Sequence, residues 1–303
     1  MAISRSQLVK ELEPGLNALF GLEYKRYENQ HAEIYTSENS DRAFEEEVML
    51  SGFGRAQVKA EGAGVSFDDA QETFTARYTH ETVALAFAIT EEAIEDNLYD
   101  RLAARYTKAL ARSMSNAKQV KSVEPLINGL PSTDTFDSGD GVSLFNTSHP
   151  TIAGTFQNTL TTQADLNETS LEQSLIDIGK MTDERGLKIA ARGIKMIVPQ
   201  ENQFTAERLM KSQGRTGTAD NDINSIVSMG MIPQGYRVNN YLTDSDSFYI
   251  ITDVPNGMKM FTRAPLTTAM EGDFDTGNVR YKARERYSFG VSDPRGIFGV
   301  EGA

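Results

Sequence analysis

The sequence predicts an α+β fold, and three stretches carry that prediction. Residues 90–118 (TEEAIEDNLYDRLAARYTKALARSMSNAK) read as one long helix. Thr90 suits the N-cap, while Glu91, Glu92, Glu95 and Asp96 put negative charge beside the unpaired N–H groups of the first turns. Lys108, Arg112 and Lys118 put positive charge toward the other end, and Ile94, Leu98, Leu102, Tyr106, Leu110 and Met114 form an apolar stripe recurring every four residues. At 1.5 Å per residue such a helix spans roughly 40 Å, long enough to act as a beam for the rest of the chain. The second stretch is the C-terminal third, where 237–242, 248–252, 258–262, 270–274 and 279–291 read as consecutive strands. Asn256-Gly257 is a tight-hairpin signal between two of them. The third is 45–80, a polar excursion opened by Glu45-Glu46-Glu47, punctuated by Gly52, Gly54, Gly62 and Gly64, and closed by Asp68-Asp69 and an alternating segment at 72–78. Helices and antiparallel strands are thus segregated along the chain.

Composition limits what such a chain does. Its 303 residues suffice for one elaborate domain or two. The N-terminus lacks the apolar core of a secretory signal, and no apolar run is long enough for a transmembrane helix. There are no cysteines, hence no disulfides or thiolate metal sites, and the three histidines (His31, His80, His149) are scattered. A net charge of −13 argues against a surface that tracks nucleic-acid phosphates throughout; it does not exclude a container whose inner wall must avoid gripping DNA.

In chain order, residues 1–44 suggest an arm. Leu8 and Leu12 fit a short helix, Pro14-Gly15 breaks it, Leu16, Leu19 and Phe20 fit a second piece, and the polar remainder suits contact with another subunit, with partial disorder as the alternative. After the excursion, Val83, Leu85, Phe87 and Ile89 alternate with three alanines, which predicts a buried strand feeding the long helix. Pro125 and Asn128-Gly129 close that helix, and a loop region with small strands near 142–145 follows. A second amphipathic helix around Leu171, Leu175, Ile178 and Met181 is stopped at Gly186; a buried strand at 194–198 and a third helix at 204–211 come next. In the last strand Val279, Tyr281, Ala283, Tyr287, Phe289 and Val291 share one face and Arg280, Lys282, Arg284 and Arg286 the other.

Catalytic signatures are weak. Ser115-Asn116-Ala117-Lys118 has serine acyl-enzyme spacing without its partner motifs and reads as helix surface. Asp134, Asp137 and Asp140-Gly141 lack calcium-loop spacing, and Ser148-His149-Pro150 lacks a third member. No P-loop or dinucleotide fingerprint occurs, so no catalytic, cofactor or metal residue is assigned and an enzyme is not expected. The basic stripe at 280–286 has two readings, a DNA-facing surface or a partner for acidic segments such as Glu45–Glu47 or Asp68-Asp69, within or between subunits; the second is preferred because four like charges on one strand face repel one another.

This order of parts resembles the major capsid (head) proteins of tailed bacteriophages, with the coat-protein fold named for phage Hong Kong 97. The resemblance runs through SDRAFEEEVMLSGFG (40–54), RYTHETVALAFAITEEAIEDNLYDRL (77–102), LFNTSHP (144–150), TDERGLKIA (182–190), TAERLMKS (205–212), GTADNDIN (217–224), YLTDSDSFYIITDVPNGMKMF (241–261) and EGDFDTGNVRYKARERYSFGVSDPRG (271–296). It implies an N-terminal arm at 1–44, an E-loop at 45–80, a peripheral domain of 81–149 and 263–303 with a spine helix at 91–118, and an axial domain at 150–262. It implies a structural protein that self-assembles into pentamers and hexamers of an icosahedral shell around double-stranded DNA, located in the virion and assembled in the host bacterial cytoplasm. Its partners would be copies of itself, a portal, a separate scaffolding protein (the arm begins almost at Met1) and a decoration protein, with no membrane and no cofactor. Glu45, Glu46, Glu47, Asp68, Asp69, Arg280, Lys282, Arg284 and Arg286 are then candidates for contacts between subunits. Some relatives crosslink a lysine of this loop to a neighbour's asparagine, which singles out Lys59, although nothing marks the matching asparagine and a solvated lysine is the preferred reading. The alternatives are an encapsulin-like cellular compartment and, remotely, an uncharacterised enzyme.

Overall fold

Two four-stranded sheets share one long helix, and the chain passes between them three times, in the computed structural model, which describes residues 5–90, 92, 99–215, 222–273 and 277–303. The chain runs α1 (Arg5–Arg26), a 3-10 turn (Gln30–Glu33), β1 (Thr36–Asn39), β2 (Phe44–Leu50), β3 (Glu72–Thr79), β4 (Glu81–Ile89) and α2 (Tyr99–Asn128). There follow β5 (His149–Thr151), β6 (Gly154–Phe156), α3 (Glu168–Lys180), β7 (Gly193–Val198), α4 (Gln203–Lys211), α5 (Ser225–Met229) and β8 (Tyr236–Val238). The C-terminal part is β9 (Phe248–Thr252), β10 (Met258–Gly272), β11 (Val279–Val291) and β12 (Ile297–Val300). The first sheet has order β1-β10-β11-β4 and the second β12-β9-β7-β8, with hairpins β2-β3 and β5-β6 outside them.

The long helix is present, but its span differs from the expectation. Residues 91 and 93–98, with Ile94, lie outside the described residues, as do the side chains of Leu98 and Leu102. The helix passes through Pro125 and ends at Asn128. Proline denies the Lys121 carbonyl one hydrogen bond, and the burial of Val123, Leu126 and Leu130 around it outweighs that loss. Gly129 follows, where a Cβ would lie 2.5 Å from Leu144 Cβ and 2.8 Å from the Pro125 carbonyl, so only glycine fits. The buried face runs through Ala103, Leu110, Ala111 and Met114, leaving Tyr106 exposed at its margin.

The N-terminal segment also departs from expectation. No break occurs at Pro14-Gly15: α1 is one helix, and its second half packs on its own chain, Leu16 and Phe20 being buried against Ile89, Leu110, Met114 and Tyr281. The Tyr35 hydroxyl donates to the Ser122 carbonyl (2.6 Å), and β1 pairs parallel with β10, Thr36 opposite Lys259. Apolar burial decides the matter, since four aromatic or leucine positions of this segment find partners on α2 and β11.

The β regions need several corrections. β4 is an edge strand with most of its residues exposed, because only β11 flanks it. Asn256-Gly257 makes its turn, with Asn256 at φ +59, but joins no hairpin: β9 and β10 belong to different sheets. The turn is a crossing point, where a Cβ on Gly257 would lie 2.8 Å from Gly296 Cα on the return crossing from β11 to β12. The strands expected at 258–262 and 270–274 form one long β10, bulged where Pro265 interrupts the ladder. β8 is shorter than expected, ending at Val238, and Val142 to Phe145 form no strand beyond a single bridge, Asp137 to Ser143. α3 stops at Lys180, not Gly186, capped at its start by Asn167 and Ser170. The expected strands at 194–198 and 248–252 and the helix at 204–211 are present.

Candidate assembly surfaces

The β2-β3 hairpin projects from the first sheet with Phe44 opposite Thr79 and Glu46 opposite Arg77. Its base is tied down by charge. Lys259, nearly buried, pairs with Glu47 (2.5 Å) and Glu38 (3.2 Å); burial opposes its charge, but the two carboxylates outweigh that and hold the ammonium above lysine's ordinary value. Ser40 Oγ donates to Glu45 (2.7 Å), Glu46 lies 3.7 Å from Arg77, and Arg77 covers the Phe44 ring at 4.1 Å. The Tyr78 hydroxyl is 2.5 Å from Ser292 Oγ, which anchors β3 to the end of β11.

Beyond the base the hairpin behaves differently. The neck of loop 51–71 is closed by Ser51 N to the Gln71 carbonyl (2.8 Å) and Gln71 N to Ser51 Oγ (2.9 Å). Past it, Phe53, Val58, Val65 and Phe67 are exposed, Val58 at 100% and Phe67 at 97%. Large apolar side chains gathered on one projecting loop mark an interaction surface. Lys59 is exposed on the same loop, and among the described residues no carboxylate pairs with it.

The basic stripe stands on the open face of the first sheet. Arg280, Lys282 and Arg284 are exposed between two rows of small residues, Ala84, Ala86 and Ala88 on β4 and Thr267 and Ala269 on β10. Arg280 meets Asp273 at 2.5 Å; Lys282 and Arg284 form no ion pair among the described residues. Arg286 is half-buried near His80, where burial first and the guanidinium second hold the imidazole below its ordinary value. A groove of about 630 Å³ opens here between Ala86, Ala269, Met270, Arg280 and Lys282. Within one chain the stripe therefore does not meet the acidic segments: Glu45, Glu46, Glu47 and Asp68 have the partners Ser40, Arg77, Lys259 and Gly54 N instead.

Two buried charge clusters escaped the sequence reading. Lys118 pairs with Glu285 at 2.5 Å, both nearly buried, with the Tyr24 hydroxyl 3.4 Å from the same carboxylate. Glu285 is the one acid on the inward face of β11, and that break in the apolar parity was the available signal. Ser115 is buried on the inward face of α2, not on the helix surface. The second cluster lies where the chain crosses between sheets. Arg295 pairs with Glu184 (2.5 Å) and Asp293 (3.2 Å), donates to the Thr182 carbonyl (2.8 Å) and covers the Phe156 ring at 4.2 Å. His149 stacks on Phe156, bonds Asp140 (2.6 Å) and Asn158 (2.9 Å), and has no contact with Ser148 of the kind a nucleophile needs. Burial raises the Asp140 pKa, yet His149, Ser138 and Val142 N outweigh it and hold the carboxyl below its usual range. Nothing in single-sequence spacing joins residues 140, 149, 184 and 295. Among the described residues no group of His, Asp or Glu is placed to hold a metal ion, and no helix is long and apolar enough to cross a membrane.

Known structures share this arrangement. A virus-like particle protein from Pyrococcus furiosus superposes with a TM-score of 0.55 at 10% identity, covering 95% of this chain and 98% of that one. The capsid of Myoviridae phage XM1 gives 0.54 at 10% identity, covering 89% of each chain, and Mycobacterium phage Ogopogo 0.51 at 14%, covering 90% and 91%. At such identities the likeness shows the fold, which is the Hong Kong 97-like fold expected from the sequence. Curated proteins offer no match. The family model for phage capsid protein, however, matches residues 72–300, most of the chain and both sheets except β1. The chain belongs to the phage capsid protein family, and it is a structural, shell-forming protein.

Proposed function

We propose that the chain is the major head protein of a tailed phage, assembling into pentamers and hexamers of an icosahedral shell that encloses double-stranded DNA without reading its sequence. The observation that carries this reading is the hairpin loop, whose large apolar side chains are exposed among the described residues. On this reading residues 1–44 are the arm, 45–80 the loop that reaches a neighbour, 81–149 with 263–303 the peripheral domain, and 150–262 the axial domain around each capsomer axis. Glu45–Glu47, Asp68, Asp69 and the stripe Arg280, Lys282, Arg284 and Arg286 lie at contacts between copies; Lys282 and Arg284, which form no ion pair among the described residues, invite acidic partners there. Closed symmetry reuses each such contact many times, so modest interfaces suffice. Catalysis has no part in this role. A portal, a separate scaffolding protein and a decoration protein are its partners, and assembly takes place in the host cytoplasm before the shell becomes part of the virion.

The test is to express the chain alone and with a scaffolding protein, then measure particle size by sedimentation and negative-stain microscopy. Closed shells, or capsomers that convert to shells, support the reading; a monodisperse monomer under every condition overturns it. The likeness to the Pyrococcus furiosus particle keeps a cellular compartment as a second reading. Double-stranded DNA inside particles from the native source would decide for the phage head, and packaged protein for the compartment.

A further inference from the structure

Loop 51–71 would be aimless if its neck were its sole support, yet among the described residues the Arg185 side chain of the body reaches it. Asp68 Oδ2 accepts from Gly54 N at 2.7 Å and so bridges the outgoing and returning limbs of the loop just past the neck. Its other oxygen lies 3.6 Å from Arg185, whose guanidinium also donates to the Asp69 carbonyl. The Gly54 hydrogen bond first, with Arg185 assisting against burial, holds the Asp68 carboxyl below its usual range, so it is ionised and available to both. Among the described residues, Arg185 makes the polar contacts that join loop 51–71 to the rest of the chain.

Arg185 is itself on firm ground. It sits in a turn whose Asp183 carboxylate accepts from Arg185 N (2.9 Å) and Leu187 N (2.7 Å). The preceding residue, Glu184, is buried and clamped by Arg295 at 2.5 Å, and its carbonyl accepts from Ala153 N. A rigid, core-anchored turn therefore offers one cation to a loop that carries four uncovered apolar side chains.

We propose that Arg185 is a positioning residue, a strut that holds the hairpin loop at one angle to the body so that its apolar side chains are presented ready for the neighbouring copy. The inference rests on the reading of the loop as an assembly contact, and its physical content is preorganisation: a loop already aimed loses less conformational freedom on docking. The ion pair is partly exposed and individually weak, but each copy in a symmetric shell makes it, so a small change per contact shifts the concentration at which particles form.

The test compares Arg185→Gln, Arg185→Lys and wild type by two readouts. The chain has no cysteine, so nitroxide labels at Gln57→Cys and Ile152→Cys report the distance from loop to body in free subunits. Arg185→Gln is expected to broaden that distance distribution and raise the threshold concentration for particles by about two- to fivefold, with the unfolding midpoint unmoved, and Arg185→Lys to recover part of both. An unchanged distribution overturns the strut, as does a threshold that stays the same or falls while the wild type assembles. If the wild type forms no particles, the assembly reading fails, and the distance measurement still decides whether Arg185 aims the loop.

Discussion

Two irregular regions of the molecule invert the usual rule for loops. The crossing between the sheets, built from residues near 140, 149, 158, 184 and 295, is rich in charge and deeply buried. Loop 51–71 carries Phe53, Val58, Val65 and Phe67 and is exposed. Polarity does not separate them; the location of the partner does. The charged groups at the crossing find partners in the same chain: Arg295 has Glu184, Asp293 and the Thr182 carbonyl, and His149 has Asp140 and Asn158. A buried charge is tolerated when it is paired and hydrogen-bonded. Among the described residues the loop's apolar groups find little apolar cover and stand largely in water.

Breaking the crossing should have the largest effect. Arg295→Met leaves Glu184 and Asp293 buried without their cation, and is expected to cost roughly 3–5 kcal/mol in denaturant unfolding. A loss below about 1 kcal/mol would mean that the cluster is wetter than its burial implies. Acid should come next. Burial first, with the nearby Lys118 charge, holds His31 down to about 4. Because this folded value lies below the ordinary one of about 6.5, the unfolded chain takes up the proton first as pH falls. The contribution is therefore complete above about pH 6.5 and drains away toward about 4, by roughly 3 kcal/mol at most. His31→Gln should flatten the stability profile over that window.

A smaller effect is expected at the packing of the crossing. A Cβ on Gly299 would meet the Phe145 ring at 2.6 Å, so Gly299→Ala should cost roughly 1–3 kcal/mol; no change in unfolding midpoint would show that the ring can move aside. The smallest effect on folding belongs to the loop. Val58→Ser combined with Phe67→Ser should leave subunit stability within about 0.5 kcal/mol while particle formation falls away in sedimentation. Loss of folding in that variant would erase the contrast between the two regions, and undiminished assembly would move the contact elsewhere.

How much of this was legible depends on the range of the interactions. The alternation of β11 was readable because its period is local: Tyr281, Ala283 and Tyr287 turn inward and Arg280, Lys282 and Arg284 outward, as spacing requires. The charged run 280–286 was equally readable as a face, yet not its surroundings. That β4 lies at an edge depends on strand order, which single-strand hydrophobicity does not encode, and its alanines suggested burial they do not have. Pro14 and Pro125 misled for a related reason. A proline removes one hydrogen bond, a local cost of a few kcal/mol, and burial of neighbours such as Leu126 or Leu16 through distant contacts outweighs it.

By itself the sequence determined the α+β class, the long helix, the projecting hairpin and, through resemblance over most of its length, the family. Those are consequences of short-range periodicity, turn chemistry and the order of segments. The tertiary structure alone decided that Asn256-Gly257 joins two sheets, that Lys118 and Arg295 meet Glu285 and Glu184 in the interior, and that Arg185 reaches Asp68. Each joins residues 100 or more positions apart or turns on which strands lie side by side. The free energy of such contacts comes from exclusion of water in a particular packing, which no local pattern of residues records.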